Sequence, residues 1–124
     1  MVVGTAREAA DLLEPLFAEA RSEKLAILLL DAEQRMIGLE ELPLGSEQAV
    51  LLPIREIIDS ALRSGAAGLI LAHNHPSGDP EPSAADVEAT RRLSETAAPL
   101  GIRLHDHLIF AGGGCRSFRE LRLL

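Results

Sequence analysis

The segment "GLILAHNHPSGDPEPSAADVEA", Gly68–Ala89, changes character twice within a short span. It opens as an apolar run that ends at His73, the mark of a buried strand. Pro76, Gly78, Pro80 and Pro82 then favour turns over regular structure. From Ser83 the pattern becomes helical, with Ser83 and Asp86 at the N-cap and N3 positions of a helix predicted over Ala84–Ala98. Pro99 and Gly101 end that helix, and "IRLHDHLIF", Ile102–Phe110, alternates like a strand. Strand, helix and strand in this order predict an α/β (α+β) domain, with helices against one sheet.

The rest of the chain extends this frame. "PIREIIDSALRSG", Pro53–Gly65, is the clearest helix: Ile54, Ile57, Ile58, Ala61 and Leu62 make one apolar stripe. Pro53 suits its first turn and Gly65 its stop. "KLAILLLD", Lys24–Asp31, reads as a buried strand, "DAEQR" as a turn, and "MIGLEELPLG" as a more exposed strand. "QAVLLP", 48–53, is expected to be a third short strand. Thr5 and Glu8 form a capping box for a helix predicted to run to about Ser22, interrupted near Pro15. On the helix after Ser83, Glu88/Arg92 and Arg91/Glu95 are spaced as i, i+4 ion pairs. "AGGG" after Phe110 predicts a turn. The meander-like early strands predict a mixed sheet.

Composition bounds the function. The 124 residues suit a single domain, 1–124, in which 1–22 is an N-terminal helical segment. With no Trp or Tyr and only Phe17, Phe110 and Phe118, the core must be aliphatic. A net charge of −7 argues against autonomous nucleic-acid binding. The single Cys115 rules out an internal disulfide and a four-cysteine zinc site. No signal-like or membrane-spanning apolar run is present, so a soluble, cytoplasmic chain is expected.

The chemistry concentrates at the strand end. Side chains at i and i+2 of an extended chain point the same way, so His73 and His75 present two imidazoles to one point. Asp86, in the first turn of the next helix, is placed to add a carboxylate. Two nitrogens and one oxygen with a position left open is the ligand set of a catalytic zinc site, and one that also suits other divalent metals. The plainer reading is a capping box from Ser83 to Asp86 beside ordinary turn residues; capping and metal binding are compatible. The H-E-x-x-H pattern is absent, one cysteine cannot complete a nucleobase-deaminase site, and "AGGGC" lacks the lysine of a phosphate loop.

His73-x-His75, seven residues, Ser83, two residues, Asp86 is the spacing of the JAMM motif of MPN+ or JAB domains. The chain resembles the bacterial RadC-like branch in "ILAHNHPSGDPEPSAAD", "LPIREIIDSAL", "LHDHLIF" and "SFRELRLL", over about Glu23 to Leu124. The resemblance implies a JAB/MPN-like mixed central sheet flanked by helices, in a cytidine-deaminase-like layout. It implies a zinc-dependent metalloprotease or isopeptidase with one Zn²⁺ per chain on His73, His75 and Asp86. Ser83 would donate a hydrogen bond to the developing oxyanion, and Glu23 would act as general base, with Glu40, Glu41 and Glu56 as competitors for that role. The partner would be a peptide or isopeptide substrate. Full-length relatives often carry a helix-hairpin-helix region, which 124 residues are expected to be too few to include. Two rivals are a DNA-repair-associated metal-dependent nuclease and a non-catalytic binding or assembly module. His105 and His107 form another i, i+2 pair around Asp106; the resemblance puts them on a strand, where Asp106 or His107 would orient a metal ligand from behind.

Overall fold

The computed structural model of the chain describes residues 1–18, 20–44 and 52–124. Helix α1 (Ala6–Phe17) is followed by strands β1 (Lys24–Leu30) and β2 (Met36–Pro43), helix α2 (Ile54–Ser64), strand β3 (Gly68–Asn74), helix α3 (Ala84–Ala97) and strands β4 (Arg103–Ala111) and β5 (Gly114–Ser117). The sheet order is β2-β1-β3-β4-β5. β3 and β4 run parallel, whereas β1 is antiparallel to both of its neighbours and β5 is antiparallel to β4. The sheet is therefore mixed, as the sequence predicts.

Period-two alternation divides the sheet into two buried faces. Leu25, Ile27, Leu29, Leu69 and Leu71 pack with Ile57 and Ala61 of α2 and Leu93 and Ala97 of α3. Ala26, Leu28, Leu30, Ile70 and Ala72 face the other way, against Ala9, Leu13 and Phe17 of α1. Helices thus cover both faces, which is why β1 and β3 are continuous apolar runs rather than alternating ones. β2, at the sheet edge, alternates between half-buried and exposed positions.

Three local expectations need correction. α1 ends at Phe17 and not near Ser22: Pro15, in its last turn, has no amide hydrogen for the Asp11 carbonyl, which weakens this end of the helix. The stripe of α2 does not include Leu62, which is 56% exposed; Ser60 is buried in its place. Glu88 pairs with Arg91 at 2.6 Å rather than with Arg92, because Arg91 also reaches Glu95 and gathers both carboxylates. The short strand expected over 48–53 lies outside the described residues apart from Leu52 and Pro53, which belong to no helix or strand.

This architecture brings three chain segments to one end of the sheet. β3 delivers His73 to its end, α3 begins there with Asp86, and β1 begins beside Asn74, so Glu23 enters from the neighbouring strand. Parallel pairing sets His107 of β4 against Leu71 of β3, just behind His73.

Candidate metal centre

His73 is the penultimate residue of β3, and its ring is buried. His75 follows the strand, where its backbone amide donates to the carbonyl of Phe110. Its Nδ1 lies 2.8 Å from the carbonyl oxygen of Asp79. A carbonyl can only accept, so His75 carries a proton on Nδ1 and turns inward the nitrogen that holds the lone pair of a neutral ring, Nε2. The loop residues therefore fix a tautomer as well as a turn.

Asp86 occupies N3 of α3 within a reciprocal capping box. Its backbone amide donates to Ser83 Oγ at 3.0 Å, and Ser83 N–H donates to Asp86 Oδ2 at 2.9 Å. The cap uses an oxygen lone pair of Ser83 and leaves its hydroxyl proton available. Asp86 Oδ1 lies 3.6 Å from His73 Nε2, and Oδ2 lies 3.2 Å from His75 Nε2. The two Nε2 atoms are 3.1 Å apart. One donor atom from each of His73, His75 and Asp86 falls within 4.8 Å of the others, a grouping that fits a JAMM-type metal site.

Behind His73 the polar contacts continue. His73 Nδ1 is 2.7 Å from His107 Nε2, and His107 Nδ1 is 2.8 Å from Thr90 Oγ1. Phe118 stacks on the His107 ring with centroids 4.7 Å apart. Burial, the main cause, pushes His73 down to about 4, with the Asp86 charge acting upward and His75 downward. Burial likewise holds the fully enclosed His107 well below the usual imidazole range. Both rings are therefore neutral at neutral pH, the form that binds a metal.

Glu23 stands beside this cluster. Its carboxyl is held above its ordinary value chiefly by partial burial; His75 pulls it down and Asp86 pushes it up, so it feels both groups electrostatically. Glu41 pairs with Lys24 at 3.1 Å, Glu40 acts on Arg63, and Glu56 sits in the first turn of α2. Asp106, buried on β4, accepts hydrogen bonds from Ser117 Oγ, Arg119 N and its neighbour's amide at His107. Those bonds tie β4 to the chain after β5 and do not run to His73 or His75. His105 is half-buried beside Arg103 and Arg119, on the far side of the sheet end from the three ligands.

Two residues of the site escape sequence reasoning. Asn74, between the histidines, accepts from Lys24 N at 2.9 Å and donates from Nδ2 to Ser22 O at 3.0 Å. Thr90, one turn into α3 beyond Asp86, supports His107. For Thr90 the only sequence signal is its i+4 spacing from Asp86, which a helix makes a neighbour. A cleft of about 460 Å³ opens beside His75, floored by the stacked rings of Phe17 and Phe110, with Asp11 and Glu14 at its rim.

Comparison with known proteins matches residues 3–123 to the RadC-like JAB domain. The UPF0758 protein STH371 of Symbiobacterium thermophilum is 43% identical over 114 residues, covering 92% of this chain and 49% of that protein. The UPF0758 protein alr2351 of Nostoc sp. is 45% identical over 102 residues, covering 82% and 42% respectively. The UPF0758 protein PM1152 of Pasteurella multocida is 44% identical over 112 residues, covering 90% and 50%. The chain spans about half the length of the curated relatives it matches. Their names assign no activity. Among the described residues, no helix is long and apolar enough to cross a membrane.

Proposed function

Since the chain belongs to the RadC-like JAB domain family, we propose that it is a zinc-dependent hydrolase of the JAMM class, acting on a peptide or isopeptide bond. The observation that carries this reading is the convergence of His73 Nε2, His75 Nε2 and the Asp86 carboxylate within 4.8 Å. The Asp79 carbonyl accepts from the outer nitrogen of His75, so the inner nitrogen of the neutral ring is the one left to bind a cation. Unshared lone pairs facing one another in a partly buried site repel, and a cation between them relieves that repulsion.

His73, His75 and Asp86 would hold the zinc, which when bound would supply Lewis acidity. The chain's own residues do the rest. Glu23, its carboxyl raised by partial burial, takes a proton from the attacking water and passes it to the leaving amine. Ser83, whose oxygen lone pair is used in the helix cap, directs its hydroxyl proton at the developing oxyanion. A donor of that kind contributes about 3 kcal/mol to the transition state. The cleft beside His75 receives the substrate chain.

Purified protein is expected to contain about one zinc per chain, lost in His75→Ala. Glu23→Gln should retain zinc but lose hydrolysis of a peptide and isopeptide panel. Folded protein that takes up no zinc would overturn the reading, as would cleavage of DNA with no member of the panel cut.

A further inference from the structure

Thr90 Oγ1 lies 2.7 Å from the main-chain carbonyl oxygen of Asp86 and 2.8 Å from His107 Nδ1. A hydroxyl has one proton to give. If it were given to His107, the threonine oxygen and the Asp86 carbonyl would face each other lone pair to lone pair. The proton therefore goes to the carbonyl, and His107 Nδ1 must itself be protonated and donate to Thr90. The His107 ring is fully buried, and its side-chain partners among the described residues are the uncharged Thr90 hydroxyl and the His73 ring, with no carboxylate to hold a second proton, so its Nε2 is an acceptor. The 2.7 Å contact to His73 is then satisfied in one way only, with the proton on His73 Nδ1. That leaves His73 Nε2 bare, on the side facing the Asp86 carboxylate.

We propose that Thr90 and His107 are positioning residues that fix the tautomer of His73, and that the Asp86 carbonyl sets the direction of the whole chain. Asp86 then acts twice. Its carboxylate offers a ligand oxygen, and its carbonyl, through Thr90 and His107, orients the lone pair of the neighbouring ligand. The ring of contacts links β3, β4 and α3, so the register of three elements is read out at one nitrogen. A metal-bound histidine ordinarily gives its second proton to a carboxylate or carbonyl; here it gives it to a neutral imidazole whose own polarity is imposed from the helix. Phe118, stacked on His107, keeps that ring in plane. The inference deepens the metal-site reading above and rests on it for the affinity arm alone.

The test uses the folded chain in two arms. Long-range ¹H–¹⁵N correlation spectra of metal-free protein at neutral pH should show His73, His75 and His107 all as Nδ1–H tautomers. A His73 or His107 in the Nε2–H form would overturn the proposal, whether or not the protein binds zinc. Thr90→Val keeps shape but removes the hydroxyl; it should convert His107 toward the Nε2–H form and weaken zinc binding by about 10- to 100-fold. Thr90→Ser should restore both the tautomer and an affinity close to that of the parent. Parental affinity in folded Thr90→Val would overturn the proposal, and a Thr90→Val chain that fails to fold leaves the spectrum of the parent to decide. Absence of zinc binding in the parent protein would instead defeat the hydrolase reading, with the tautomer arm still standing.

Discussion

The side-chain amide of Asn74 brackets Glu23: it holds the carbonyl of Ser22 at 3.0 Å and the amide of Lys24 at 2.9 Å, the backbone groups on either side of it. One side chain therefore stitches the end of β3 to the entrance of β1. Its partners lie on the neighbouring strand entrance, where it secures the backbone on both sides of the glutamate proposed above as the acid–base group.

Asn74→Ala should separate the two functions of the site. Zinc affinity should change little, because no ligand is touched. Hydrolysis should fall by about 100-fold, the usual consequence of displacing a catalytic group by about 1 Å. Two backbone groups lose partners, so thermal stability should drop by about 1–3 kcal/mol. Equal activity in the variant and the parent would show that Glu23 is held by other means.

Adding zinc to metal-free protein should raise the melting temperature. At a free concentration 100 times the dissociation constant, binding stabilises by about 2.7 kcal/mol. For a chain of this size that is roughly a 10 °C shift. His75→Ala should abolish the shift. A chelator should reverse it in the parent protein and leave the variant unaffected.

Gly68 opens β3 against the His105 ring: a Cβ there would come within 2.5 Å of Nε2 and 2.7 Å of Cδ2. Gly68→Ala should therefore cost about 1–3 kcal/mol by overpacking. The neighbour is a side-chain end rather than backbone, so the double variant Gly68→Ala/His105→Ala should recover most of the loss. Denaturant midpoints of the single and double variants check this; no recovery would place the strain in the strand itself.

Cys115 tests the electrostatics of the β4–β5 end. Burial, with smaller contributions from Asp106 and Glu120, pushes its thiol up to about 11 from 9.0. At pH 8 the thiolate fraction is then roughly 100-fold below that of an ordinary cysteine, because the thiolate alone is the nucleophile. Alkylation by iodoacetamide should be correspondingly slow and should keep accelerating as pH rises toward 11. A rate that levels off near pH 9 would contradict the buried-thiol description.

What could be read from the amino acids was what lies close along the chain. The apolar runs of β1 and β3, the α2 and α3 helices and the capping box at Ser83 are local patterns; His73 and Asp86 sit inside them, and His75 lies one residue past β3. Glu23 came only through family resemblance, since nothing in its neighbours distinguishes it from a solvated helix-end carboxylate. Asn74 carries no local signal of its role, because its partners lie 50 and 52 positions away. β5 has only four residues, Gly114–Ser117, and its polar, glycine-led sequence gives no strand signal. The end of α1 turns on Pro15 in its last turn, whereas the exposure of Leu62 has another cause: periodicity marks a face, but packing decides how wide that face is.

The connection from β3 through α3 to β4 sets an order of assembly. His73, His75 and Asp86 lie within fourteen consecutive positions, so their meeting closes only a short loop. Glu23 must be recruited across fifty residues through the Lys24–Asn74 contact, a slower event. During refolding, the proposed cation-binding pocket should therefore mature ahead of the proposed acid–base group. Stopped-flow refolding with Co²⁺ as a coloured stand-in should show its absorption band before hydrolytic activity appears. A half-built domain would then carry its ion yet remain chemically silent, sparing nearby unfolded chain from being cut.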